Sequence, residues 1–174
     1  MRAVVSSGPG RATAPISCAG SISAVNDAIT VADVDDVNLE GASVAFVGGY
    51  VMGEDALDFA GLGNISGSFD ALTGVLTLTG SDSLANYQAA LRAVTYVNFA
   101  GDDPTAGVRT VRFIANDGDD DSNAVLTEIE VVPVNDAPVL DLDDDNSSGA
   151  ADPDYQAAVA AGAVTAGRAA VGGR

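Results

Sequence analysis

Between about residues 25 and 134, apolar and polar residues alternate at the two-residue period that turns one face of a β-strand inward. Ile29 to Asp33 (ITVAD), Ala42 to Val47 (ASVAFV), Ala56 to Ala60 (ALDFA) and Asn64 to Phe69 (NISGSF) read as short strands. In Val75 to Gly80 (VLTLTG), Leu76 and Leu78 point one way and Val75, Thr77 and Thr79 the other; the preceding Asp70 to Gly74 (DALTG) reads as a hairpin turn. Val94 to Phe99, Val108 to Ala115 and Val125 to Val134 continue the alternation. The last two predict long antiparallel neighbours, with Arg112 facing Glu128 or Glu130.

The period changes in one place. From Ser81 to Val94, the apolar residues Leu84, Tyr87, Leu91 and Val94 fall at helical spacing, with Ser81, Asp82 or Ser83 as N-cap. Many short strands separated by turns at intervals of about 8 to 12 residues predict an all-β chain, a seven-stranded antiparallel Greek-key sandwich with one short helix. Residues 1–24 are rich in Gly, Ser, Ala and Pro without periodicity, which predicts a disordered or foreign N-terminal tail. The sandwich then spans 25–140, and 141–174 read as an acidic linker running into a low-complexity tail of Ala and Gly.

Composition sharpens the picture. The 174 residues are 47% apolar but only 5% aromatic with no Trp, so the core is built from Val, Leu, Ile and Ala. The 25 acids all lie between Asp27 and Asp154, a span with only Arg92, Arg109 and Arg112 as cations, and the chain carries a net charge of −18. Such a field repels nucleic acid and anionic lipid, which predicts neither nucleic-acid binding nor membrane insertion. The sequence has no run of 18 apolar residues, and Gly8, Pro9 and Gly10 interrupt the N-terminus where an export signal needs an apolar stretch. With no His and a lone Cys18, neither a Ser-His nor a Cys-His catalytic arrangement can be assembled, so an enzyme is not expected.

The acids are clustered. Asp33, Asp35 and Asp36 follow a strand; Asp117, Asp119, Asp120 and Asp121 follow another; Asp141, Asp143, Asp144 and Asp145 form a third group. Carboxylates this dense repel one another unless solvated or neutralised, and hard oxygen ligands suit Ca²⁺. Alternate residues at a strand end share a side, so Asp117, Asp119 and Asp121 are expected to converge on one ion, with Gly118 permitting a tight path. Asp117, Asp119, Asp121 and Glu128 also fall at EF-hand spacing, as do Asp141, Asp143, Asp145 and Asp152, though neither run is flanked by helices. In VVPVNDAPVL, Pro133 and Pro138 bracket Asn135 and Asp136, a stiff connector whose amide and carboxylate are further candidate ligands. Solvated turns are the competing explanation for the acidic clusters, and a plain rigid linker for the connector.

Together, ITVADVDDVNLEGASV, GVLTLTGSDSLANYQAALRAVTYVNF, VRTVRFIANDGDDDSNA and VVPVNDAPVL resemble one repeat of the bacterial cadherin-like tandem domains of large surface or secreted adhesins. The resemblance covers roughly residues 25–146. It implies a cadherin/Ig-like extracellular sandwich that binds Ca²⁺ near its ends and links in series, with neighbouring repeats or surface ligands of other cells as partners. It carries ligation onto Asp33, Asp35, Asp117, Asp119, Asn135 and Asp136. The pattern departs from animal cadherins, since Pro133 and Ala137 stand where the D-x-N-D-N linker has its first Asp and last Asn. Both flanks look foreign to the domain, which predicts a fragment of a longer array. The rival expectation is a carbohydrate- or ligand-binding module on the same scaffold.

Overall fold

The structure, a computed structural model, describes residues 3–7, 23–101 and 103–133. Ten strands and one helix follow in the order β1 (Val4–Ser7), β2 (Ser23–Ala24), β3 (Ile29–Ala32), β4 (Asn38–Gly48), β5 (Asp55–Asp58), β6 (Ser66–Asp70), β7 (Val75–Ser83), α1 (Leu84–Arg92), β8 (Thr95–Asn98), β9 (Gly107–Asn116) and β10 (Val125–Val131). A five-stranded sheet has the order β10-β9-β4-β7-β6, a three-stranded sheet the order β2-β8-β5, and β1 pairs with β3. Every pairing is antiparallel. The chain leaves the larger sheet after β4, returns for β6 and β7, crosses again through α1 to β8, and returns for the β9–β10 hairpin. These crossings make an antiparallel sandwich of the Greek-key kind.

The alternation read from the sequence is the one that packs. Leu76 and Leu78 of β7, Val111, Phe113 and Ala115 of β9, and Val125, Ile129 and Val131 of β10 are buried, while Thr77, Thr79 and Glu128 face out. The Phe46 ring of β4 meets Tyr96 of β8 edge-on at 6.2 Å, which joins the two sheets across the core. The expected hairpin joins β6 to β7 with Asp70 opposite Val75, and Gly74 takes the positive φ of 69° that closes it.

The helix forms where expected, and three other expectations change. β7 runs on to Ser83, whose Cα lies opposite Asn38 of β4, which selects among the three expected N-caps. Ser83 is then the N-cap, accepting from the Asn86 N–H, and Tyr87, Ala90 and Leu91 are buried. Register sets Leu126 opposite Arg112 and Thr110 opposite Glu128, so Arg112 has no directly opposed acid. More strands form than the seven expected, the additions being short. The expected N-terminal tail is corrected at Val4–Ser7 and Ser23–Ala24, which are strands, with Ala3 and Val5 buried to 0% and 1% exposure. A segment as short as AVVSS carries almost no periodic signal, and only its pairing with β3 makes it a strand.

Candidate metal site and a buried polar network

Asp33 lies just past the end of β3, and Asp36 follows in the same turn. Asp117 opens the turn between β9 and β10. Folding brings these two distant segments together, so that one carboxylate oxygen from each of Asp33, Asp36 and Asp117 lies within 4.8 Å of the others. Two oxygens on one Ca²⁺ can be at most about 5 Å apart, twice the ligand distance of roughly 2.3–2.6 Å, so this spacing admits a shared ion.

Local hydrogen bonds hold two of the three carboxylates in place. Asp33 Oδ1 accepts the N–H groups of Asp35 and Asp36 at 3.0 and 3.2 Å. Asp117 Oδ1 accepts those of Asp119 and Asp120 at 3.0 and 2.8 Å. These backbone donors hold both acids below the usual carboxylate range, the Asp35 N–H acting most on Asp33 and the Asp120 N–H most on Asp117. Asp36 moves the other way, raised by desolvation and by the charges of Asp35, Asp33 and Asp117. Asp33 Oδ2 is buried and has no hydrogen-bond partner among the described residues. An orphaned carboxylate oxygen beside two further carboxylates is the donor set that a hard cation completes, so these three residues fit Ca²⁺.

Asp35, Asp119 and Asp121 do not join this group. The expected convergence of Asp117, Asp119 and Asp121 fails because β9 ends at Asn116, and strand alternation ends with it. Instead the turn is pinned by Asn116, whose Oδ1 accepts the Gly118 N–H and whose Nδ2 donates to Asp121 Oδ1 at 2.9 Å. Gly118 takes φ +105°, and a Cβ there would meet Glu40 Cγ at 3.1 Å. Glu128, the last residue of the EF-hand spacing, sits exposed within β10. Asn135, Asp136, Asp141 and Asp143 lie outside the described residues.

A second constellation was not anticipated from the sequence. Asp55, at the start of β5, is buried with Arg109 of β9, whose Nε donates to Asp55 Oδ2 at 2.8 Å. The same Oδ2 accepts the Val51 N–H at 2.7 Å, while Oδ1 accepts from Tyr96 Oη at 2.6 Å and Asn98 Nδ2 at 3.1 Å. Arg109 also donates to the Thr105 carbonyl at 2.7 Å, and Glu54 accepts from the Thr105 N–H and hydroxyl. Burial and its bond to Asp55 push the Tyr96 hydroxyl far above its ordinary value. The signal available was parity, because Arg109 shares its face with the inward Val111 and Phe113.

No family profile matches the chain, and no solved structure matches it. A stretch of the chain is 40% identical over 90 residues to halomucin of Haloquadratum walsbyi (strain DSM 16790 / HBSQ001). The match takes in 49% of this chain but only 1% of halomucin, so the chain spans a very small part of that relative's length.

Proposed function

We propose that this chain is a structural repeat of a large surface or secreted protein, a cadherin-like sandwich stiffened by Ca²⁺ held between Asp33, Asp36 and Asp117. The observation that carries the reading is the meeting of these acids from two distant segments, within 4.8 Å of one another, around an Asp33 oxygen that lacks a hydrogen-bond partner among the described residues. A divalent ion there would cross-link the end of β3 to the β9–β10 turn and neutralise their mutual repulsion. Backbone carbonyls and water would complete a shell of six to eight oxygens. Similarity to a stretch of a much longer protein supports a module that works as one unit among many. Neighbouring repeats, or ligands on other surfaces, are its partners in this reading, and the parent protein is extracellular.

The alternative, a carbohydrate-binding module, finds some support in a groove of about 260 Å³ on the outer face of the five-stranded sheet, lined by Ser43, Thr77, Thr79, Ile114, Asn116 and Asp121 among others. Its hydroxyls and amide suit a sugar, yet no aromatic ring lines it, so the structural reading ranks first.

Thermal melts in Ca²⁺, in Mg²⁺, in chelator and in NaCl at matched ionic strength test the proposal. The expected result is a rise in Tm with Ca²⁺ at millimolar concentration or below, a much smaller rise with Mg²⁺, and loss of the Ca²⁺ effect in Asp117→Asn. The NaCl arm matters because a chain of charge −18 gains from screening alone. Equal melting in Ca²⁺ and in matched NaCl would remove the ion from the account.

A further inference from the structure

The ribbon of β1 and β3 is joined by no third strand among the described residues. Its two edges are covered by side chains instead. Along β3, Gln88 Oε1 of α1 accepts the Val31 N–H at 3.1 Å, and Arg92 Nε donates to the Ile29 carbonyl at 2.7 Å. Along β1, one residue does this work. Asn123 Oδ1 accepts the Val5 N–H at 3.0 Å while Asn123 Nδ2 donates to the Val5 carbonyl at 2.6 Å. A primary amide offers the same donor and acceptor that a strand residue offers, so Asn123 acts as a one-residue neighbouring strand.

The two halves of the ribbon are held unequally. β3 is fastened by two side chains of α1 and is preceded closely in the chain by the buried Val25 and Asn26. β1 has four residues, and among the described residues its anchors are the buried Ala3 and Val5, its pairing with β3, a Ser6 carbonyl that accepts from the Thr30 hydroxyl, its packing against β9 and β10, and the Asn123 clamp. Val4 is 53% exposed. By contrast, β4 lies between β7 and β9 and is paired along nearly its whole length. A short edge element with so few anchors opens in a separate step from the doubly flanked strands.

We propose that β1 is a releasable strap latched by Asn123, which docks and undocks while the rest of the sandwich stays folded. Undocking frees Asn123, which follows Asp117 in the same β9–β10 connection. The position of the N-terminal segment thus sets how firmly that turn is held. The inference rests on backbone pairing and the Asn123 clamp, and it stands whether or not Asp117 binds an ion.

Native-state hydrogen exchange of the full chain across a urea series, read by NMR at Val5, Val44 and Phe113, tests it. In the natural sequence, the Val5 amide should exchange by a route nearly independent of urea, while Val44 and Phe113 follow the steep urea dependence of global unfolding. Asn123→Ala should speed exchange at Val5 by about tenfold, the factor expected from losing one to two hydrogen bonds, with Val44 and Phe113 much less changed. Asn123→Asp keeps the acceptor but loses the donor, and its effect should fall between. Val5 sharing the urea dependence of Val44 and Phe113 would overturn the proposal. So would an Asn123→Ala protein in which all three amides accelerate by one factor. Should that variant not fold, the urea series on the natural sequence decides alone.

Discussion

Asp55 and Asp33 are both aspartates placed at a strand end, yet their surroundings are opposites. Asp55 is buried and faces Arg109, and each of its oxygens accepts two hydrogen bonds. Asp33 stands near Asp36 and Asp117, and one of its oxygens has no hydrogen-bond partner among the described residues. The first group is complete within the chain, since a buried carboxylate is tolerated only when its charge and lone pairs are answered. The second leaves a buried Asp33 oxygen unanswered among the described residues, and the exposed Asp36 keeps the group within reach of solvent or an ion. Carboxylate density in this sequence therefore says little about where a carboxylate matters most for folding. The acid with the strongest structural role is flanked by only one other acid, Glu54.

The comparison can be broken in four places, beginning with the largest effect. Asp55→Ala leaves the Arg109 guanidinium buried without its carboxylate and should cost about 3–5 kcal/mol in urea unfolding. Adding Arg109→Met to that variant should recover a good part of the loss, because it removes the orphaned charge. A single-variant cost near that of an ordinary surface substitution would show that the network is not the closed unit described above.

Tyr96→Phe comes next. It takes one of two donors from Asp55 Oδ1 and should cost about 1–3 kcal/mol, the range for a buried polar atom that loses a partner. Smaller again is the response to Ca²⁺, a rise of several degrees in Tm. Asp117→Asn should abolish it and Asp33→Asn should reduce it, whereas Asp55→Asn, once corrected for its lower starting stability, should leave it intact. A Ca²⁺ response that tracks Asp55 and ignores Asp33 would reverse the assignment of the two groups.

The smallest effect concerns pH in the absence of divalent ions. Asp33 and Asp117 titrate below their ordinary value when folded, so their contribution is present above that value and fades as pH falls through the folded one. Asp36 titrates above its ordinary value, so the folded state holds its proton more tightly, and ionising it as pH rises works against folding. Carboxyl ¹³C titration should therefore place Asp36 above both Asp33 and Asp117. Asp36→Asn should slightly raise Tm at neutral pH in chelator, and a lowered Tm there would contradict the repulsion account.

Local pattern sufficed for most of the strands. Alternation in VLTLTG and VRTVRFIA marks the buried faces correctly because a half-buried strand must keep its apolar residues on one side. The helix was legible through Leu84, Tyr87 and Leu91, although its start depended on how far β7 stayed paired with β4. β1 was not legible, because two inward residues in a stretch of small and polar ones make no period. Nor was the role of Asn123, whose amide acquires meaning only from the strand beside it.

The acidic turns themselves follow from sequence, since Asp and Asn favour turns by bonding nearby backbone N–H groups, as Asp33, Asp117 and Asn116 do here. Which acids meet was decided by tertiary structure alone. Strand alternation grouped Asp117 with Asp119 and Asp121, but the chain turns immediately after Asn116, and the partners of Asp117 come from more than 80 residues earlier. Likewise, Asp55 and Arg109 are 54 positions apart, and only the meeting of β5, β8 and β9 in one core encloses them. Period and composition act over a few residues, so they fix faces and turns; charge pairing acts through space, and only the folded chain determines which charges share it.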